Sequence, residues 1–320
     1  LTTPAAGSTT MVSTSRPDPS TGPAHASSHP GPGPTGKVLA CIDESPYAGA
    51  VCDYAAWSAA RMGAPLSLLH VLDVSPLGAV SGPRNLTGTI GFDAQEQLLE
   101  ELAELDAQRS RLEMERGRHL LDAARVRAEP QVGGPVETRQ RHGELVDAAM
   151  ALETEIRMLV LGKRGTKSAS AHGHLGGNLE RVIQTLSVPI LVAQQAFTPP
   201  ERIMFAFDGS ATARKGVRMV AASPLFAGIP CHLVHAGADL PETREALREA
   251  ASILQGAGFQ APTAILPGSP ADVLPRYQAQ EGIDLLIMGA YGHSRIRRLF
   301  VGSTTRDMLR SCTVSVMVLR

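Results

Sequence analysis

The chain has 320 residues, with 30 Lys and Arg against 31 Asp and Glu, a formal net charge of −1. Balanced charge argues against a dedicated nucleic-acid binder, which needs a basic surplus to displace counterions, and no run approaches the ~18 apolar residues of a membrane span. Four scattered cysteines (Cys41, Cys52, Cys231, Cys312) with no CxxC pair, and 4% aromatic residues, point to a reduced, cytoplasmic protein of helices on a buried parallel sheet.

Residues 1–36 hold seven of the 23 prolines, two charges (Arg16, Asp18) and no aromatic ring. Such a stretch buries too little apolar surface to offset its ordering entropy, so it is expected to be a disordered tail. It lacks the basic start and apolar run of a secretory leader; the chain opens on Leu1, which makes Met11 a candidate initiator. The tail ends in Gly31-Pro-Gly-Pro-Thr-Gly36-Lys37, close to the phosphate-loop pattern G-x-x-x-x-G-K-[ST]. Val38 stands where the hydroxyl belongs, and the stretch precedes a strand instead of following one, so it is expected to be a linker.

From Lys37 onward the same unit occurs twice. A predicted strand at 38–42 runs into Asp43-Glu-Ser45, and one at 203–207 into Asp208-Gly-Ser210. Ser45 and Ser210 are natural N-caps, and Pro46 suits a first helical position. Gly63-Ala-Pro65 and Gly228-Ile-Pro230 then mark helix stops, followed by strands at 66–72 and 231–236 that carry His70 and His235. These pairs share an offset of 165; later pairs share 127 or 126, so the first unit carries 38 additional residues. The insertion is predicted as a long helix over about 93–128, spanning about 54 Å at ~1.5 Å per residue, with Gly117 a point of interruption. Six acids and no base precede Arg109, and bases dominate afterwards, matching the helix dipole. Leu98, Leu102, Leu105 and Leu112 fall at heptad spacing, broken by Arg109 and Arg116. The expectation is an amphipathic helix on its own sheet, with partner binding by its exposed half as the alternative. Strand–helix–strand alternation implies parallel sheets.

The glycine spacing carries the chemistry. Gly289-x-x-Gly292 follows the apolar run 285–288, and after nine more residues Gly302-Ser303 opens a helix predicted over 304–310. A strand end, glycines that let backbone approach a ligand, and a helix N-terminus with free amides make a phosphate site. Ser303 and Thr304 add hydroxyl donors, and Asp208 faces the same crevice at the carboxyl ends of the strands.

This pattern resembles the ATP-binding signature of the universal stress proteins. The resemblance spans 37–320 as two tandem domains, 37–195 and 200–320, with Pro199-Pro200 in the linker 194–201. It implies an α/β fold of two doubly wound domains, each with a five-stranded parallel sheet flanked by helices. It also implies a regulatory, stress-response role with at most slow ATP hydrolysis. An adenine nucleotide (ATP, ADP or AMP, with Mg accompanying it) would be held mainly by the second domain. There Asp208 and Ala236 lie toward adenosine, and Met288, Gly289, Gly292, Gly302, Ser303 and Thr304 complete the site. The first domain keeps Asp43, Gly162, Gly165 and Gly176. However, ten residues separate the last two glycines, and Gly177 replaces the hydroxyl residue, with Asn178 as a substitute donor. Lys163, Arg164, Lys167, Arg295, Arg297 and Arg298 are expected to be solvated loop cations, and His70 and His235 hydrogen-bonded residues of the core or crevice edge. The alternative function is a nucleotide-free dimerisation module of the same fold. Expected partners are an unknown regulatory protein and either a second copy or, within the chain, a pseudo-dimer through the final strands ending in Val192 and Val318; neither nucleic acid nor membrane is expected.

Overall fold

Apolar runs bounded by Asp, Gly and Pro set the strands, and the residues between them set the helices. The computed structural model describes Leu1 and residues 36–72, 92–166, 177–290 and 302–320. The rest of the tail, Lys167, Gly176, Gly292, Arg295, Arg297 and Arg298 lie outside these residues. Half one runs β1 (Lys37–Cys41), α1 (Ala48–Met62), β2 (Leu66–Leu72), α2 (Phe92–Val132), β3 (Val136–His142), α3 (Leu145–Met150), β4 (Ile156–Gly162), α4 (Gly177–Thr185) and β5 (Ile190–Ala193). Half two runs β6 (Ile203–Ala206), α5 (Ala211–Ala222), β7 (Cys231–Ala236), α6 (Pro241–Gly256), β8 (Thr263–Leu266), α7 (Pro270–Glu281), β9 (Leu285–Gly289), α8 (Ser303–Ser311) and β10 (Ser315–Leu319).

The strands form one sheet in the order β3-β2-β1-β4-β5-β10-β9-β6-β7-β8. Each half is a parallel five-stranded sheet, and the two final strands join antiparallel, Val316 opposite Val192 and Val318 opposite Ile190. This is the pseudo-dimer within one chain. The six apolar side chains of that seam (Ile190, Leu191, Val192, Val316, Met317, Val318) are each 2% exposed or less. At about 1.5–3 kcal/mol per buried side chain they outweigh the surface ion pairs, worth about 0–1 kcal/mol each. Helices α1, α2, α5 and α6 share the core on one face of the sheet; α3, α4, α7 and α8 share that on the other.

Two helix boundaries differ from expectation. Helix α1 starts at Ala48, because Ser45 Oγ donates to Asp43 Oδ1 at 2.5 Å and accepts from the Tyr47 amide at 3.3 Å, building a turn ahead of the helix. Ser210 instead caps α5 directly, accepting from the Ala213 amide at 3.1 Å. Gly63 ends α1 with φ 57°, whereas α5 stops at Ala222. There Ser223 precedes Pro224, which disfavours helical backbone, and a 3-10 turn separates α5 from Gly228.

Helix α2 is continuous over 41 residues, about 60 Å long. Gly117 does not interrupt it. A Cβ there would lie 2.3 Å from Gln140 Nε2 and 2.7 Å from His70 Cδ2, so glycine lets the helix lie directly on β2 and β3. Beyond this point Leu121, Ala124 and Ala128 are buried. Arg127 grips Asp53 of α1 through Nε and Nη2 at 2.7 and 2.6 Å, the two-pronged geometry that guanidinium favours. From Glu100 to Arg116 the helix stands largely exposed, Leu105 at 61% and Leu112 at 66%. The packed-helix expectation therefore describes only the second part of α2.

Candidate functional site

The strand order reverses direction between β1 and β4, and again between β6 and β9. In such sheets, crevices for ligands open at the carboxyl ends of the strands at these points. In half one the crevice is a cleft of about 620 Å³, within the ~300–1,000 Å³ of ordinary ligand sites. It brings together Asp43, His70, Gly162, Gly165 and Asn178, and α2 adds Arg109, Glu113 and Arg116 to its wall. Those α2 side chains were not foreseen as cleft residues, because nothing in the sequence says where the insertion lies. Arg116 pairs with Glu44, and Arg109 with Glu113 at 2.8 Å.

The half-one cleft is tied up by its own protein. One carboxylate oxygen of Asp43 accepts from the Ser45 amide and hydroxyl; the other accepts from the Thr166 amide at 3.1 Å and hydroxyl at 3.4 Å. A Cβ on Gly162 would lie 2.7 Å from Tyr47 Cβ, so the packing of α1 demands glycine there. Cys41, also on the wall, has its thiol pushed up to about 12 by burial and by the neighbouring Asp43 charge. It stays protonated and is a poor nucleophile.

In half two, adjacent strands carry Gly289 at the end of β9, Asp208 two residues beyond β6, and Ala236 at the end of β7. Met288 is buried in the core shared with α8, and Ala236 is half-buried. Helix α8 begins after Gly302, and the next two residues, Ser303 and Thr304, are exposed. Thr305 was missed by the sequence reading. It is 3% exposed, and its hydroxyl lies 3.3 Å from the Gly289 carbonyl and 3.2 Å from that of Ala290, tying the helix start to the end of β9. The run Ser-Thr-Thr was the available signal; the repeat places apolar Leu179 opposite Thr305 in half one. Gly302 has φ −56° and ψ 146°, open to any residue. Among the described residues, a Cβ there would meet nothing closer than Thr305 Oγ1 at 3.7 Å.

His70 and His235 are equivalent in structure as in sequence. Each Nδ1 lies against the carbonyl of the residue after the first strand of its half, Ile42 at 2.8 Å and Phe207 at 2.9 Å. Lys163 corrects an expectation. It is 8% exposed, and its ammonium donates to the carbonyls of Arg310 at 3.0 Å and Cys312 at 2.9 Å, across the seam at the end of α8. Burial holds this ammonium below the usual lysine range. The antiparallel junction brings the end of α8 to it. Among the described residues, no cluster of three or more His, Cys, Asp or Glu is placed to hold a metal ion, and no helix is long and apolar enough to cross a membrane.

Comparison with known proteins agrees with this architecture. The profile of the universal stress protein family matches residues 34–194 and again 200–320. Universal stress protein Slr1230 of Synechocystis sp. (strain ATCC 27184 / PCC 6803 / Kazusa) is 35% identical over 285 residues, 88% of this chain and 99% of that protein. A universal stress protein from Archaeoglobus fulgidus DSM 4304 superposes with a TM-score of 0.64 at 18% identity, covering 89% of this chain and 96% of that one. The functionally unknown protein PA1789 of Pseudomonas aeruginosa PAO1 does so with a TM-score of 0.53 at 18% identity, over 88% and 92%. Two profile matches in tandem, and a relative aligned along nearly its whole length, account for the repeat, the doubled sheet and the paired crevices: the chain belongs to the universal stress protein family.

Proposed function

We propose that this protein is an ATP-binding regulator of the stress-response type, with its nucleotide held mainly by half two. The observation that carries this reading is the start of α8. Among the described residues no atom comes closer than 3.7 Å to a Cβ placed at residue 302, the residue that precedes the first turn of this helix. The amides of that turn and the positive end of the helix dipole suit phosphate oxygens, and the exposed hydroxyls of Ser303 and Thr304 add donors. Asp208 and Ala236, on the neighbouring strand ends, are the residues for the adenosine portion, and the loop with Gly292 completes the grip. ADP or AMP would use the same contacts with fewer phosphates, and Mg would arrive with the nucleotide. Bound nucleotide would supply a phosphate-dependent state for the regulatory role to read, with at most slow hydrolysis.

Half one fits the alternative of a nucleotide-free module, because Gly162 is required by packing against Tyr47 and Gly177 stands where half two has the hydroxyl of Ser303. Titration calorimetry with Mg-ATP tests the assignment. Wild type is expected to bind, and Gly302→Trp is expected to abolish binding while leaving the fold intact. Equal affinity in both proteins would sink the site.

A further inference from the structure

The helix that offers its N-terminus in half two is held at its other end by half one. Lys163 donates to the carbonyls of Arg310 and Cys312. Gln194 Nε2 donates to those of Cys312 at 2.8 Å and Val314 at 3.1 Å. Along the helix, Arg306 lies 3.3 Å from Glu180 of α4. Helix α8 has nine residues, about 13 Å end to end, so it is a short rod with both ends fixed by named bonds.

The charge at the rear matters as well as the grip. The C-terminal end of a helix carries partial negative charge. A buried ammonium on its last carbonyls offsets that charge and leaves the N-terminal end the more favourable for an anion. The mirror arrangement behind α4 uses a different residue: Arg320 Nη1 donates to the Leu186 carbonyl at 2.6 Å, while Ala290 occupies the position equivalent to Lys163. Helix α8 is anchored from a glycine loop, the segment Gly162-Lys163-Arg164-Gly165 that lines the cleft of half one.

We propose that Lys163 is a positioning residue for the phosphate site of half two, fixing α8 from behind so that its first-turn amides face the nucleotide. The proposal rests on the reading of α8 as the phosphate helix. It makes the glycine loop of one half part of the other half's site.

The test is calorimetric binding of Mg-ATP to the full chain as wild type, Lys163→Met, Lys163→Arg, Arg320→Met and Gly302→Trp, with thermal melting of each. Lys163→Met is expected to weaken binding about tenfold, the scale of a lost charge-assisted hydrogen bond. Lys163→Arg is expected to restore most of it. Arg320→Met, which loosens α4 instead, should lower the melting temperature and leave affinity unchanged. Wild-type affinity in a folded Lys163→Met protein, or equal weakening by Arg320→Met, overturns the proposal. Should Lys163→Met fail to fold, Lys163→Gln, which removes the charge and keeps a neutral amide donor group, takes its place with the same direction of effect. If wild type binds no nucleotide, or Gly302→Trp still binds it, the reading of α8 fails and the role of Lys163 falls with it. Loss in Gly302→Trp without loss in Lys163→Met overturns Lys163 alone.

Discussion

Gly162 and Gly302 belong to the same repeated motif, yet their missing side chains face different things. At Gly162 a Cβ would collide with the root of Tyr47, at 2.7 Å; at Gly302 the nearest atom among the described residues would be 3.7 Å away. The first glycine is explained by packing inside the protein. Among the described residues nothing crowds the second, which stands at the start of a helix. The acidic residues are alike in part: Asp43 accepts from Ser45 and from Thr166 of the glycine loop, and Asp208 accepts from the Ser210 amide at 3.0 Å. Gly162 is the first glycine of the motif in half one and Gly302 the last in half two, so each position of the motif carries its own constraint. A glycine that the fold requires says nothing about a ligand.

The substitution with the largest expected effect is Gly302→Trp. ATP affinity should drop at least about 100-fold, near 2.7 kcal/mol, with the melting temperature unchanged; a fall in stability in place of affinity would reverse the comparison. Next is Gly162→Ala, a steric insertion against Tyr47 expected to cost about 1–3 kcal/mol in urea unfolding. That corresponds to a few degrees per kcal/mol in melting temperature for a chain of this size. A fully stable variant would mean that α1 yields, and that the glycine of half one is not a packing residue. Thr305→Val keeps the shape and removes the hydroxyl that ties α8 to β9. It is expected to cost about 1 kcal/mol of stability and to weaken ATP binding modestly; no change in either would detach Thr305 from the site. The smallest effect is a gain. Gly177→Ser restores a hydroxyl at the start of α4, where a Cβ meets nothing within 4 Å among the described residues. Placed in the Gly302→Trp background, it should give weak nucleotide binding by half one, and calorimetry that shows none would place the defect of half one in Asp43 or the α2 wall.

Much of the fold was legible because parallel strands buried on both faces read as uninterrupted apolar runs. The repeat also let each half check the other; 66–72 and 231–236 coincide with β2 and β7. The start of α8 was legible for the same reason, since Gly302-Ser303-Thr304 sits at a fixed distance after a strand. What was not legible depended on contacts across long separations. Lys163 looks like an ordinary loop cation until β5 and β10 pair and bring the end of α8 beside it. Arg109 and Arg116 become cleft residues only because Gly117 lets a 41-residue helix lie flat on the sheet. Pro46 suits a first helical position by its chemistry, yet it lies in the turn before α1 because the Ser45 hydroxyl is held by Asp43.

The pair Glu180 and Arg306 carries a consequence for how the two halves came to differ. They occupy equivalent positions of the repeat and face each other at 3.3 Å. In an assembly of two identical chains about a twofold axis, a residue on that axis meets its own twin, and a charge there would meet a like charge. Joining the halves through one linker removes that constraint, because each position can then mutate without changing its counterpart. The seam acquires a polarity, acid on one side and base on the other. With polarity comes a division of labour that twinned subunits cannot have: one half can be tuned as an anchor while its neighbour is tuned as a receptor.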